Sequence, residues 1–157
     1  MQDLLVGDEI GRGDYELAAG AVNQLRKAGG HGVETILALP KRNDSAIVAA
    51  TSRSYYRDLI DAGVKLCEYR CGLLHAKTIV VDGTIGLIGS ANLDRRSFEL
   101  NFENNILFAD EAFAAAVRAR QAEFIALSDL VTEADVDRFS VAQRLWQNSV
   151  AMVSPIL

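Results

Sequence analysis

The sequence predicts an α/β fold, a mixed β-sheet flanked by helices, in a single domain. Three observations carry this expectation. Short runs rich in β-branched and aliphatic residues, such as "GVETILALP" and "HAKTIVV", alternate with longer stretches of helical period. Two neighbouring runs are separated by Asp82-Gly83, a strong two-residue hairpin signal, so the sheet is not all parallel. The 157 residues suffice for one hydrophobic core, and no repeat, low-complexity segment or linker divides them.

The elements follow in order. Residues 1–13, "MQDLLVGDEIGRG", are glycine-rich and have no clear period. Their GxG follows no strand pattern and is very weak as a nucleotide fingerprint. From Asp14 to about Ala28 the pattern turns helical, with Leu17, Ala21 and Leu25 four apart and a Gly-Gly stop after them. "GVETILALP" reads as a buried strand closed by Pro40. "KRNDS" is a polar turn in which Asp44 or Ser45 caps the next helix. That helix is expected to run to about Ala62, with Tyr55 over Leu59 and Tyr56 over Ile60, and to end at Gly63. "VKLCEYR" is a second strand, and "HAKTIVV" and "TIGLIGS" form the hairpin. "SANLDRRSFELN" is a polar connection and "FENNILFAD" another strand. An Ala-rich helix spans about Glu111 to Leu127, and the tail suggests one or two amphipathic helices.

Composition narrows the partners. Half of the residues are hydrophobic, the longest apolar runs are a few residues, and no signal-peptide pattern opens the chain. A formal charge of −5 without long single-sign runs makes a poor platform for polyanions, which argues against nucleic acid. Cys67 and Cys71 form neither a disulfide framework nor a zinc site, and read as free thiols in a reducing, cytosol-facing compartment.

The chemistry concentrates between residues 73 and 94. Side chains alternate along a strand, so His75 and Lys77 face the same way: a base beside a cation. The next strand ends in Gly89-Ser90-Ala91-Asn92, whose hydroxyl and amide can reach the same rim. Glu103, at the start of the following strand, is a candidate carboxylate to hold the imidazole tautomer. Such a set suits a phosphoryl centre, where catalysis is largely positioning and charge stabilisation. Singly, each residue has an ordinary reading: a satisfied core histidine, a turn aspartate at Asp82, loop residues at Ser90 and Asn92. Their conjunction in one short segment is what points to a site.

His75-x-Lys77-x4-Asp82-x6-Gly89-Ser90-x-Asn92 matches the HxKx4Dx6GSxN (HKD) signature of the phospholipase D superfamily, six residues at fixed spacing. "GLLHAKTIVVDG" and "GSANLDRRSFELNFE" resemble the C-terminal half of bacterial cardiolipin synthases. "GVETILALPKRNDS", "SRSYYRDLIDAGVKLCEY" and the final "SPIL" support the same resemblance, which covers roughly residues 30–157. It implies a phospholipase D-like half-domain over 30–157, preceded by an atypical segment, 1–29, that holds a helix. It further implies phosphatidyl transfer through a phosphohistidine at His75. Lys77 and Asn92, assisted by Ser90, would hold the non-bridging oxygens; Glu103 would orient His75, and Asp82 would be mainly structural. No metal or cofactor is implied. The substrate would be a phospholipid of phosphatidylglycerol type, met at the cytoplasmic side of a bacterial inner membrane by a peripheral chain.

The sequence departs from that pattern in definite ways. A complete site needs two such motifs and this chain has one; His31, in "GGHGV", reads as a loop residue. The start shows no strand of the "PYFxP" kind, and Cys71-Gly72 replaces the more usual Pro-Gly before the motif. Three readings follow: half of a synthase whose other motif is missing, a homodimer pairing two His75 residues, or a non-catalytic module. In the tail, Leu145, Trp146, Val150 and Val153 offer an apolar face. Packing on the domain is its ordinary reading; membrane contact is the alternative, without the usual Lys/Arg-rich polar face.

Overall fold

The computed structural model describes residues 3–7, 27, 31–43, 46–90 and 104–153. The expected helix from Asp14 to Ala28 and the capping residues Asp44 and Ser45 lie outside the described residues, apart from a helical Lys27. Seven strands form one mixed sheet: β1 (Asp3–Gly7), β2 (Glu34–Pro40), β3 (Lys65–Tyr69), β4 (Lys77–Val81), β5 (Ile85–Gly89), β6 (Asn105–Ala109) and β7 (Ser128–Val131). Their spatial order is β6-β5-β4-β1-β2-β3-β7. β1, β2 and β3 run parallel, and the pairs β1–β4, β4–β5, β5–β6 and β3–β7 are antiparallel. The described helices are α1 (Ala46–Ser54), α2 (Tyr56–Asp61), α3 (Glu111–Ala126), α4 (Glu133–Asp137) and α5 (Val141–Val153). The predicted α/β class with a mixed sheet is observed.

Helices cover both faces. Leu37 and Leu39 of β2 and Leu66 of β3 pack with Tyr55, Tyr56, Leu59 and Val136 in one core, and Ile79 of β4 joins it. Thr78, one residue earlier, points the other way, and there Gln121 of α3 meets it. Local signals bound several elements, at Gly63 as expected and at two caps not singled out from the sequence. After α2, Gly63 N–H donates to Ile60 O at 2.8 Å and Val64 N–H to Leu59 O at 3.0 Å, which satisfies the last carbonyls of the helix. Asp110 caps α3 by accepting the Phe113 N–H at 2.7 Å. Thr132 and Asp135 form a capping box that starts α4.

Four features differ from expectation. The N-terminal segment, read as having no strand, contributes β1, which lies in the middle of the sheet between β2 and β4. Five residues bounded by glycine are too few for a visible alternation; the pairing comes from neighbours on both sides. Ser128–Val131, to which the sequence reading assigned no element, is the edge strand β7 against β3. The helix expected from residue 45 to 62 is interrupted at Tyr55, where a turn separates α1 from α2 and sinks both Tyr55 and Tyr56 into the core. The hairpin connection holds three residues, since Val81 pairs with Ile85. Asp82 (φ +52°) and Gly83 (φ +69°) take left-handed conformations and Thr84 N–H closes the turn on Val81 O at 3.1 Å.

Candidate functional site

Register places the site. Gly7, the last residue of β1, pairs with Thr78, and Lys77 pairs with Gly89. The C-terminal ends of β1, β2 and β3, the start of β4 and the end of β5 therefore share one edge of the sheet. That edge is where ligands bind in open α/β sheets.

His75 does not sit inside the buried strand expected for it. β4 begins at Lys77, and residues 73–76 approach it outside the ladder, with Leu74 buried and His75 exposed. Gly72 takes φ +121°, a conformation that L side chains rarely adopt, as the chain bends into this approach. The glycine of Cys71-Gly72 is thus the half of that pair the backbone requires. Lys77 is 7% exposed. Its Nζ lies 2.9 Å from both Nδ1 and Nε2 of His75, so the ammonium can donate to whichever ring nitrogen lacks a proton. The exposed imidazole and the buried lysine thus form one unit at the sheet edge.

Ser90 follows Gly89 and so lies beside Lys77, one strand away. Its N–H donates to Asn104 O at 3.1 Å, and its Oγ accepts the Asn104 N–H at 3.0 Å. This reciprocal pair ties together the two ends of segment 91–103. Asn92 and Glu103, both within that segment, lie outside the described residues. Asp82 does not come to the site: it occupies the turn at the far end of β4, about 16 Å from Lys77 at the rise of a strand. It holds a left-handed turn position that a short polar side chain tolerates, and its place in the motif is explained by the hairpin.

Two further groups were not singled out from the sequence. Gln121, 5% exposed on α3, donates through Nε2 to Thr78 Oγ1 at 2.9 Å and to Thr78 O at 3.3 Å. It braces β4 from behind, directly after Lys77. Its only sequence signal is its place seven residues after the fully buried Ala114, on the same helix face. Along the same edge, a cavity of about 440 Å³ opens among Lys41, Arg53, Tyr56, Glu68 and Asp129. Tyr56 O–H donates to Glu68 Oε1 at 3.0 Å, and Arg53 Nε lies 3.5 Å from the same oxygen. Burial, reinforced by the Glu68 charge, holds the Tyr56 phenol far above its ordinary range. Lys41 Nζ meets Asp129 Oδ2 at 2.6 Å, which lowers the carboxyl and raises the ammonium. The charges in this cavity are largely matched to one another. Cys67 is buried, and burial pushes its thiol up; both cysteines are free. Among the described residues no three His, Cys, Asp or Glu side chains cluster as metal ligands would.

The family model described as "Cardiolipin synthase, PLD-like domain" matches residues 15–125. The chain belongs to that family. The phospholipase D-like match takes in β2 to β6, the His75–Lys77 unit and nearly all of α3. Cardiolipin synthase A of Serratia proteamaculans is 36% identical over 126 residues, which make up 80% of this chain and 26% of that protein. The chain spans about a quarter of the length of the curated relatives it matches. Among solved structures, Nuc, a phospholipase D family member from Salmonella typhimurium, is similar with a TM-score of 0.69 at 15% identity, over 83% of this chain and 82% of that one. Phosphatidylserine synthase from Haemophilus influenzae gives 0.68 at 14%, over 99% of this chain and 41% of that one. At those identities the likeness speaks for the fold, and it is the phospholipase D-like fold that the motif implied. Among the described residues, no helix is long and apolar enough to cross a membrane.

Proposed function

We propose that this chain supplies one half of the catalytic centre of a phospholipase D-type phosphatidyltransferase of the cardiolipin synthase kind. The observation that supports it most directly is the Lys77 ammonium held 2.9 Å from the His75 ring at the open edge of the sheet. A nucleophile is useful there only if the charge that builds on a phosphoryl group is met by a fixed donor, and Lys77 is that donor.

In this reading a nitrogen of His75 attacks the phosphorus of a phosphodiester such as phosphatidylglycerol. The bond to the leaving alcohol breaks as the phosphorus–nitrogen bond forms, and the histidine of a second HKD motif protonates the departing oxygen. The incoming alcohol then gives its proton to that second histidine, attacks the phosphohistidine and frees His75. Lys77 and Asn92, assisted by Ser90, hold the non-bridging oxygens, and Glu103 orients the imidazole. No metal or cofactor takes part in these steps. The second motif comes from a longer synthase's other half or from a second copy. The chain would work peripherally, at the cytoplasmic face of a bacterial inner membrane, on a phospholipid rather than on nucleic acid.

A second reading has one specific observation in its favour. The chain covers 82% of Nuc, so a whole phospholipase D family member can be about this size. A homodimer pairing two His75 residues would then form a complete phosphodiesterase site. The experiment is phosphatidyl transfer from phosphatidylglycerol vesicles, with sedimentation at the same protein concentration. Turnover that is lost by more than about a thousandfold in His75→Asn supports the reading. Equal turnover by that variant overturns it, and cleavage of nucleic acid but not of phospholipid selects the dimeric nuclease instead.

A further inference from the structure

Helix α5 turns its polar side inward and its apolar side outward. Gln147 is 9% exposed. With Arg144 and Asn148 it lines a cleft of about 170 Å³ against Arg53 and Arg57. The Arg144 guanidinium donates to Asp137 O at 3.1 Å and to Val136 O at 3.5 Å. Val141, Leu145 and Trp146, by contrast, are 75%, 63% and 59% exposed. At the angular step of an α-helix these three, Ala142 and the small Ser149 share a sector about 140° wide, centred opposite Gln147. A helix that closes a globular domain buries such a sector against the core. Among the described residues nothing covers it.

The chemistry of that stretch favours one kind of cover. From Arg138 to Leu157 there is no Asp or Glu, in a chain that holds 21 acids and carries a formal charge of −5. The two charges in the stretch are Arg138 and Arg144. The surface that would otherwise repel anionic headgroups is therefore interrupted where the apolar sector lies. Trp146 stands at the margin of the sector, the place an indole takes at the boundary of a bilayer, with its ring in the apolar layer and its N–H toward water. We infer that the Val141–Leu145–Trp146 face of α5 is a docking surface for a phospholipid bilayer. The inference rests on the phospholipid reading of the site only for the reason such a chain needs a bilayer.

Trp146 is the single tryptophan of the chain, so its emission reports on this face directly. Vesicles of phosphatidylglycerol and phosphatidylcholine in equal parts, added to the intact chain, should shift the emission to the blue and shield it from iodide. Leu145→Glu changes an exposed residue, should keep the wild-type circular dichroism and melting temperature, and should lower the vesicle-bound fraction by about tenfold or more. An emission maximum that stays put when vesicles are added overturns the inference, whether or not the chain sediments with them. So does equal vesicle binding by Leu145→Glu. A blue shift that grows with protein concentration in the absence of vesicles assigns the face to a second copy and overturns it as well. His75→Asn, which ends turnover if the proposed function holds, should leave vesicle binding intact, so the two readings fail separately.

Discussion

Lys77 and Gly89 face each other as the terminal pair of the β4–β5 ladder. The end of β5 is thereby brought to the start of β4, and Ser90 arrives beside the ammonium that contacts His75. Gly89 has no room for a side chain: a Cβ there would lie 2.7 Å from the carbonyl oxygen of Asn104. Gly89→Ala must push the start of β6 away and pull apart the Ser90–Asn104 pair. The expected cost is about 1–3 kcal/mol in urea unfolding, with phosphatidyl transfer reduced further than the stability loss explains. Unchanged stability would show that β6 yields freely at this point.

Lys77 is a buried cation, and in the proposed chemistry its charge serves the site. Lys77→Met preserves most of the side-chain length and removes the charge. Transfer activity should fall by about 10²–10³, as when a single charge-stabilising donor is deleted. Thermal stability should stay level or rise, because an apolar chain replaces a desolvated cation. Wild-type turnover in this variant would remove Lys77 from the proposed chemistry.

Gln121 and Thr78 form a buried polar pair behind the site. Gln121→Leu leaves the Thr78 hydroxyl without that donor, and should destabilise the chain by about 1–3 kcal/mol. Adding Thr78→Val should recover most of the loss, since both partners are then apolar. A double-mutant cycle with no coupling between the two changes would mean that the pair does not brace β4.

Tyr56 titrates in a direction that fixes an alkaline limit. Its folded phenol is raised, by burial first and by the Glu68 charge second, above the ordinary value of 10.0. The unfolded chain therefore loses this proton first. The stabilisation is fully present below about pH 10 and drains away above it, at up to about 1.4 kcal/mol per pH unit from this group. Tyr56→Phe should remove that share of the slope, seen as a flatter dependence of unfolding free energy on pH above 10. An identical slope in both proteins would assign the alkaline loss to other groups.

Much of the site was legible because its signals are local. The HxK spacing brings the His75 ring to the Lys77 ammonium even though β4 begins only at Lys77, and Asp82-Gly83 announces a hairpin whatever lies around it. Gly63 stops a helix through hydrogen bonds made within a few residues. The spacing from Lys77 to Gly89 counts one strand, one turn and one strand back, so a linear motif already encodes a paired register. Asn92 and Glu103 remain assignments of that motif, since they fall outside the described residues.

Other features were decided only in three dimensions. Asp3–Gly7 and Ser128–Val131 are too short to declare themselves, and become strands because β2, β4 and β3 offer unpaired backbone edges to them. The same helical pattern in α5 is compatible with a buried or an outward apolar face. Packing chose outward, with Gln147 turned toward α1. His75 and Lys77 look alike in the sequence, two polar residues at the head of an apolar run. Tertiary contacts separate them into an exposed base and a buried cation, because the ladder begins between them. Periodicity and turn chemistry act along the chain and can be read from it. Burial depends on which distant segments arrive, and only the folded sheet supplies them.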